Sequence, residues 1–302
     1  MNVNLNILDT EKINENSINI DIMDTENILK TINNEDKKIA LAVENAIPDI
    51  KNLVDLAHTR MLSGGRIIYI GAGTSGRLGV LDASECPPTY GVEPSLVQGL
   101  IAGGYSALLK AKEGAEDSLT LAKEDLINIK LNENDTVIGL AASGRTPYVV
   151  GGLSYANEVG ALTSSIACVH SSEIGKHADI SIEVVVGPEV VTGSTRMKAG
   201  TAQKMVLNMI STSLMIKLGK VYTNLMVDVK PTNEKLIQRA KNIISMSGKC
   251  TIDEASKYLI DSDYNVKVAI CMVLTKQSKE VCEKILDREN GNISRAIRNI
   301  KN

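Results

Sequence analysis

Five short apolar runs punctuate the middle of the chain: Arg66–Ile70, Val97–Ile101, Thr136–Ala141, Thr163–Ala167 and Ile180–Val186. None alternates strictly between apolar and polar positions. Helical periodicity fills the gaps, including Ala107–Leu126 and Tyr148–Val159. Unalternating apolar runs separated by helices predict a parallel sheet buried on both faces. The expected fold class is α/β: a doubly wound αβα sandwich on a five-stranded parallel sheet. Ligands in such sheets bind beyond the carboxyl ends of the strands, where the strand order reverses. On the N-terminal side, residues 1–64 read as polar amphipathic helix. Pro48 divides a pattern over Lys38–Ala46 from one over Ile50–Met61, and Gly64-Gly65 precedes the first strand. A long helix is expected over Ser194–Leu218. From Asn233 onward the pattern is wholly helical, with a capping box at Thr251–Glu254 and amphipathic pieces at Asn265–Leu274 and Lys279–Leu286. The expected organisation is an N-terminal helical segment (1–56), a sheet domain (57–220) and a small C-terminal helical subdomain (221–302).

Composition narrows the function. In 302 residues there is no Phe and no Trp, so the core must be aliphatic, only Tyr supplies aromatic area, and nucleic-acid binding by base stacking is disfavoured. The net charge of −3 argues against general binding to phosphate backbones, so any affinity for an anion must be local. No apolar run reaches the roughly 18 residues of a membrane span, and the first residues lack the basic start and apolar block of a signal peptide. The five cysteines form no C-x-x-C pair and the three histidines show no ligand spacing, so neither a metal nor a disulfide framework is expected. A reducing, cytoplasmic setting fits that usage.

The candidate chemistry lies in three helix starts. After the first strand comes Gly71-Ala72-Gly73-Thr74-Ser75-Gly76-Arg77. A glycine turn leading into a helix N-terminus offers free N–H groups and the positive end of the helix dipole to an anion. Thr74 and Ser75 add hydroxyls, and Arg77 adds charge. The same letters fit the dinucleotide fingerprint G-x-G-x-x-G, but that motif needs an acid at the end of the next strand. Here that strand, Leu96–Ile101, runs into Ala102-Gly103-Gly104. A second loop, Ala141-Ala142-Ser143-Gly144-Arg145-Thr146-Pro147, follows the third strand, with Pro147 suited to the first helical position. The third start, Thr192-Gly193-Ser194-Thr195-Arg196-Met197-Lys198, also reads as a plain N-cap on Ser194 or Thr195. Three such starts in one sheet domain point to a single phosphate-bearing ligand.

Two carboxylate features accompany them. In Asp82-Ala83-Ser84-Glu85-Cys86-Pro87-Pro88, the prolines are expected to stop the helix and hold Glu85 rigidly behind the first cradle. The competing reading of Glu85 is a solvated glutamate at a helix end. In Glu113-Gly114-Ala115-Glu116-Asp117, the two glutamates would share one helix face and Gly114 would leave room for close approach. An ordinary acidic helix turn explains the same letters.

Taken together, Gly71–Arg77, Asp82–Tyr90, Glu113–Asp117, Ala141–Tyr148 and Thr192–Lys204 closely resemble the N-acetylmuramic acid 6-phosphate etherase family, whose core is a sugar isomerase (SIS) domain. The resemblance covers nearly the whole chain. It implies a lyase that needs no cofactor and no metal and cleaves the D-lactyl ether of N-acetylmuramic acid 6-phosphate. The products are N-acetylglucosamine 6-phosphate and D-lactate, formed by a cytoplasmic homodimer in the recycling of cell-wall amino sugars. It implies catalytic roles for Glu85, as proton donor, and Glu116. The phosphate and sugar then fall to Gly73, Thr74, Ser75, Arg77, Ser143, Gly144, Arg145, Thr146, Ser194, Thr195 and Lys198. SIS loops often carry S-x-S-G-x-T; here Ala141 replaces the first serine, so one hydroxyl is missing. Opening the sugar ring exposes an aldehyde that acidifies the C2 hydrogen; a carboxylate removes it, lactate leaves C3 with help from an acid, and water adds at C3. The acid must keep its proton near neutral pH, and burial of Glu85 or a neighbouring anion is the expected means. An aldose–ketose isomerase on the same fold and a non-catalytic sugar-phosphate sensor similar to glucokinase regulatory proteins are the alternatives. A transcription factor is disfavoured by the acids Asp9, Glu11, Glu15, Asp21 and Asp24.

Overall fold

The computed structural model describes residues 9–110, 112, 114–229, 231 and 233–301. The chain divides into two compact units, Met1–Ser84 with Pro94–Ser211, and Glu85–Glu93 with Thr212–Asn302.

The first unit carries the sheet. Strands β1 (Ile67–Gly71), β2 (Val97–Ile101), β3 (Thr136–Leu140), β4 (Leu162–Ala167) and β5 (Ile180–Glu183) are all parallel, in the order β2-β1-β3-β4-β5. The expected runs are therefore strands; four shift by at most one residue at an end, and the fifth stops at Glu183, three residues short of the expected Val186. Burial on both faces explains the absence of alternation: every residue of β1, β3 and β4 is buried, and Ile67–Ile70 are fully so. The order reverses between β1 and β3. Their ends are in register, Gly71 beside Leu140, so the loops that follow them emerge side by side at the switch point.

Helices α1 (Thr25–Asp36), α2 (Ile39–Asn45) and α3 (Ile47–Leu62) precede the sheet, with Pro48 in the first turn of α3. Helix α4 runs Gly73–Tyr90, with α5 at Leu121–Asn128, α6 at Pro147–Val159 and α7 at Lys198–Lys217. Three expectations are corrected here. The helix predicted over Ala107–Leu126 is a short 3-10 turn (Tyr105–Leu108) and then α5, with no regular element at the described residues 109, 110, 112 and 114–120 between them. Within that span Gly114 adopts positive φ (75°), which breaks the helical path, and it has open space around it rather than a close neighbour. Glu113, expected to pair with Glu116 on one helix face, lies outside the described residues. Next, Pro87 and Pro88 do not stop the helix before them. They sit in the last turn of α4, which ends beyond Tyr90 where Gly91 turns left-handed (φ 64°) and donates its N–H to the Pro87 carbonyl at 2.9 Å. Finally, α7 starts at Lys198, four residues later than expected.

The second unit contains the hairpin β6 (Val221–Tyr222) and β7 (Leu225–Met226), then α8 (Glu234–Gly248), α9 (Ile252–Asp261), α10 (Val266–Thr275), α11 (Lys279–Arg288) and α12 (Ile293–Lys301). The capping box at Thr251–Glu254 is present, and Asn233 and Asn265 cap α8 and α10. The unit has its own core, including Ala240, Ile244, Leu259, Ala269 and Ile270. Among the described residues, no helix is long and apolar enough to cross a membrane.

Candidate active site

The three expected anion cradles differ once their donors are followed. At the first, Gly73 opens α4 with φ 52° and nothing within 4 Å of where a Cβ would stand. The N–H groups of the first turn have no acceptor within their own helix. Thr74 is half-buried. Gly76 is required by crowding, since a Cβ there would fall 2.6 Å from the Gly71 carbonyl oxygen. Ser75 is buried, and its hydroxyl donates to Gln203 Oε1 of α7 at 2.8 Å. Arg77 is held by the segment after β2: Nε donates to the Leu108 carbonyl at 2.8 Å and Nη2 to the Ala107 carbonyl at 2.7 Å. Its guanidinium thus anchors the segment after β2.

The second cradle is closed from within the protein. Pro147 supplies no N–H, the Tyr148 N–H donates to the Glu116 carbonyl at 3.0 Å, and the Val149 N–H donates to the Thr146 carbonyl at 3.0 Å. The Thr146 hydroxyl makes no cap bond to α6 and instead donates to Glu116 Oε1 at 3.2 Å. Thr146 is buried, while Glu116 is exposed in the turn after Gly114. Gly144 adopts φ 70°, and a Cβ there would fall 2.6 Å from the Ser172 Cβ. Ser143 and Arg145 are half-buried. The structure therefore brings together Glu116, Thr146 and the 143–147 loop at the switch point, beside the loop that carries Gly73 and Thr74.

The third start is held by carboxylates of the protein itself. Glu189, fully buried, accepts from the backbone N–H groups of Lys198 at 3.0 Å and Ala199 at 2.9 Å, capping α7 in place of Ser194 or Thr195. A Cβ on Gly193 would lie 3.1 Å from Glu11 Oε2, so a second carboxylate adjoins this turn. Ser194 and Thr195 are half-buried in the turns before α7. Lys198 is buried and paired within the protein. Only 1 % of its side chain is exposed, and its ammonium meets Glu35 Oε2 at 2.6 Å. The ammonium is thus committed to α1. Burial alone would raise the Glu35 pKa, but hydrogen bonds from Lys198, Lys38, Asn16 and Asn14 outweigh it and bring the carboxyl from 4.5 to about 2. The N-terminal segment is fastened alongside: Asn14 donates to the Pro188 carbonyl at 3.0 Å and Ser17 to the Val190 carbonyl at 2.7 Å.

Glu85 is exposed rather than buried, so the expected burial is not supplied by the single chain. Three residues earlier, Asp82 is the buried carboxylate of α4. It accepts from the Tyr69 hydroxyl at 3.0 Å, Asn208 Nδ2 at 2.7 Å and the Ser211 hydroxyl at 3.1 Å, tying α4 to β1 and α7. Among these anchors, Glu189 left a trace in the sequence as a lone acid inside the apolar run Val184–Val191. Glu35 and Glu11 lie in polar stretches where nothing marked them.

Comparison with known proteins decides the family. Over 293 residues the chain is 70% identical to the N-acetylmuramic acid 6-phosphate etherase of Clostridium botulinum (strain Eklund 17B / Type B), covering 97% of each chain. The chain belongs to the N-acetylmuramic acid 6-phosphate etherase family. A second relative of that name, from Clostridium beijerinckii, is 59% identical over 300 residues and 99% of each chain. The SIS domain model matches residues 120–213, and the model of the glucokinase regulatory protein N-terminal SIS domain matches residues 49–157. A phosphoheptose isomerase from Francisella tularensis has TM-score 0.51 at 12% identity, over 64% of this chain and 100% of that one. At that identity the likeness concerns the fold alone, which is the expected doubly wound SIS sandwich. The glucokinase regulatory proteins weighed as sensors therefore share a domain with this etherase family member.

Proposed function

We infer that the protein is a carbon–oxygen lyase that cleaves the D-lactyl ether of N-acetylmuramic acid 6-phosphate to N-acetylglucosamine 6-phosphate and D-lactate, in amino sugar recycling. The observation that carries this reading is the 70% identity to an etherase across 97% of both chains. Sugar-phosphate binding belongs to residues 57–220, flanked by the helical segments 1–56 and 221–302. The open first turn of α4 supports a phosphate at Gly73 and Thr74, with Ser143, Gly144 and Arg145 from the neighbouring loop and Ser194 and Thr195 as further polar contacts. Ser75, Arg77 and Lys198 support that site indirectly, through Gln203, the 107–108 carbonyls and Glu35.

Glu116 removes the C2 proton of the ring-opened sugar, and the C2 electrons form the double bond to C3 as the lactate oxygen departs. Glu85 gives that oxygen a proton, and water adds at C3. The protein acts as a cytoplasmic homodimer. Exposed Leu29, Leu41, Ile47, Leu56 and Leu62 on α1–α3 support an apolar interface with a second copy. The test is D-lactate release from N-acetylmuramic acid 6-phosphate, with Glu85→Gln alongside. Release by the wild type and none by the variant supports the reading. No lactate from the wild type, or conversion of an aldose phosphate to a ketose, refutes it.

A further inference from the structure

We propose that Thr146 is a positioning residue for Glu116: its buried hydroxyl holds one carboxylate oxygen so that the other is presented to the substrate. The inference rests on Glu116 being the group that removes the C2 proton.

A threonine at a helix N-cap ordinarily accepts from the N–H of the second or third helical residue. At α6 both donors are already engaged, Tyr148 by the Glu116 carbonyl and Val149 by the Thr146 carbonyl. The Thr146 hydroxyl is thereby left without a role in its own helix, and it donates to Glu116 Oε1. Glu116 is thus gripped twice from one short segment, through its carbonyl and through its carboxylate. Among the described residues Oε2 has no partner.

The grip matters because of where Glu116 stands. It lies on an exposed turn just after a left-handed glycine, Gly114 (φ 75°), with no helix to limit it. A glutamate in that setting samples many rotamers, and a base must be oriented before the reaction to be effective. The same geometry argues against phosphate at this hydroxyl. Thr146 is only 6% exposed, and an anion in contact with its oxygen would sit against the Glu116 carboxylate. The loop therefore divides its labour, with Ser143 and Arg145 left for the sugar phosphate and Thr146 serving the base.

The test compares Thr146→Val, which keeps the shape and loses the hydroxyl, with Thr146→Ser, which keeps the hydroxyl. For Val, kcat should fall roughly 10- to 100-fold. Its KM, and its Kd for N-acetylglucosamine 6-phosphate, should stay within about threefold of wild type. The isotope effect with C2-deuterated substrate should grow, because proton removal becomes slower relative to later steps. Ser should restore most of kcat. In a Glu116→Gln background, Thr146→Val should add little, since the two act as one unit. If Val loses the fold, Thr146→Ala takes its place in the comparison with Ser, with the same expectations. A tenfold weaker Kd with kcat unchanged makes Thr146 a phosphate ligand and overturns the proposal, as does Val behaving like wild type. A wild type that releases no lactate overturns the etherase reading, and the positioning role falls with it.

Discussion

The Glu35–Lys198 pair is the sharpest place to test the structural role assigned to a residue that its motif marks for substrate. Both side chains are almost wholly withdrawn from water, at 3 % and 1 % exposure, and they meet at 2.6 Å. Two ions removed from water lose hydration, and their attraction repays that loss only when the geometry and the surrounding hydrogen bonds are good. Here Lys38 and Asn16 complete the carboxylate's shell. Glu35→Gln strands the Lys198 ammonium without a counter-charge, which should cost about 3–5 kcal/mol at pH 7. Lys198→Met should cost less, because Glu35 keeps Lys38.

The pH dependence follows from the depressed carboxyl, about 2 in the fold against 4.5 ordinarily. A depressed carboxyl stabilises the fold fully above pH 4.5, and that contribution is lost as pH falls towards 2. At about 1.4 kcal/mol per unit, wild type should lose about 2 kcal/mol from this group alone between pH 7 and pH 3. Glu35→Gln should lack that part of the slope. Urea unfolding of the three proteins at pH 7, 5, 4 and 3 reads both effects. Equal pH slopes in wild type and Glu35→Gln, or a Glu35→Gln midpoint within about 0.5 kcal/mol of wild type, would refute the reasoning.

Two further predictions concern the loops at the switch point. Gly144→Ala would put a Cβ 2.6 Å from Ser172 Cβ at φ 70°, so urea unfolding should show a loss of about 2 kcal/mol or more; a neutral effect would mean that the loop relaxes freely. Arg77→Met removes both hydrogen bonds to the 107 and 108 carbonyls, so limited proteolysis should cut the 103–120 segment faster than in wild type; unchanged proteolysis with a tenfold higher KM would return Arg77 to the phosphate.

The sheet was legible because its strands are buried on both faces, which leaves aliphatic runs such as Ile67–Ile70 and Val137–Leu140 with nothing polar to blur their ends. The C-terminal helices were legible for the opposite reason, since caps such as Thr251 and Asn265 are local. The stretch Ala107–Leu126 misled because helical periodicity carries no account of where a glycine must turn left-handed. At the candidate site, residue types marked loops with chemistry suited to a ligand but not which side chains are already engaged. Ser75, Arg77, Thr146 and Lys198 carry suitable chemistry, yet each is directed to a partner far away in sequence, namely Gln203, the 107–108 carbonyls, Glu116 and Glu35. Those partners are set by packing between elements, for which a single motif holds no signal.

The central claim is that the ether breaks at the sugar's C3 by elimination and is completed by water. The most direct measurement is turnover of N-acetylmuramic acid 6-phosphate in ¹⁸O-labelled water, with both products weighed by mass spectrometry. The account predicts one ¹⁸O in N-acetylglucosamine 6-phosphate and none in D-lactate from the bond cleavage. Label in the lactate, or no cleavage at all, would contradict it.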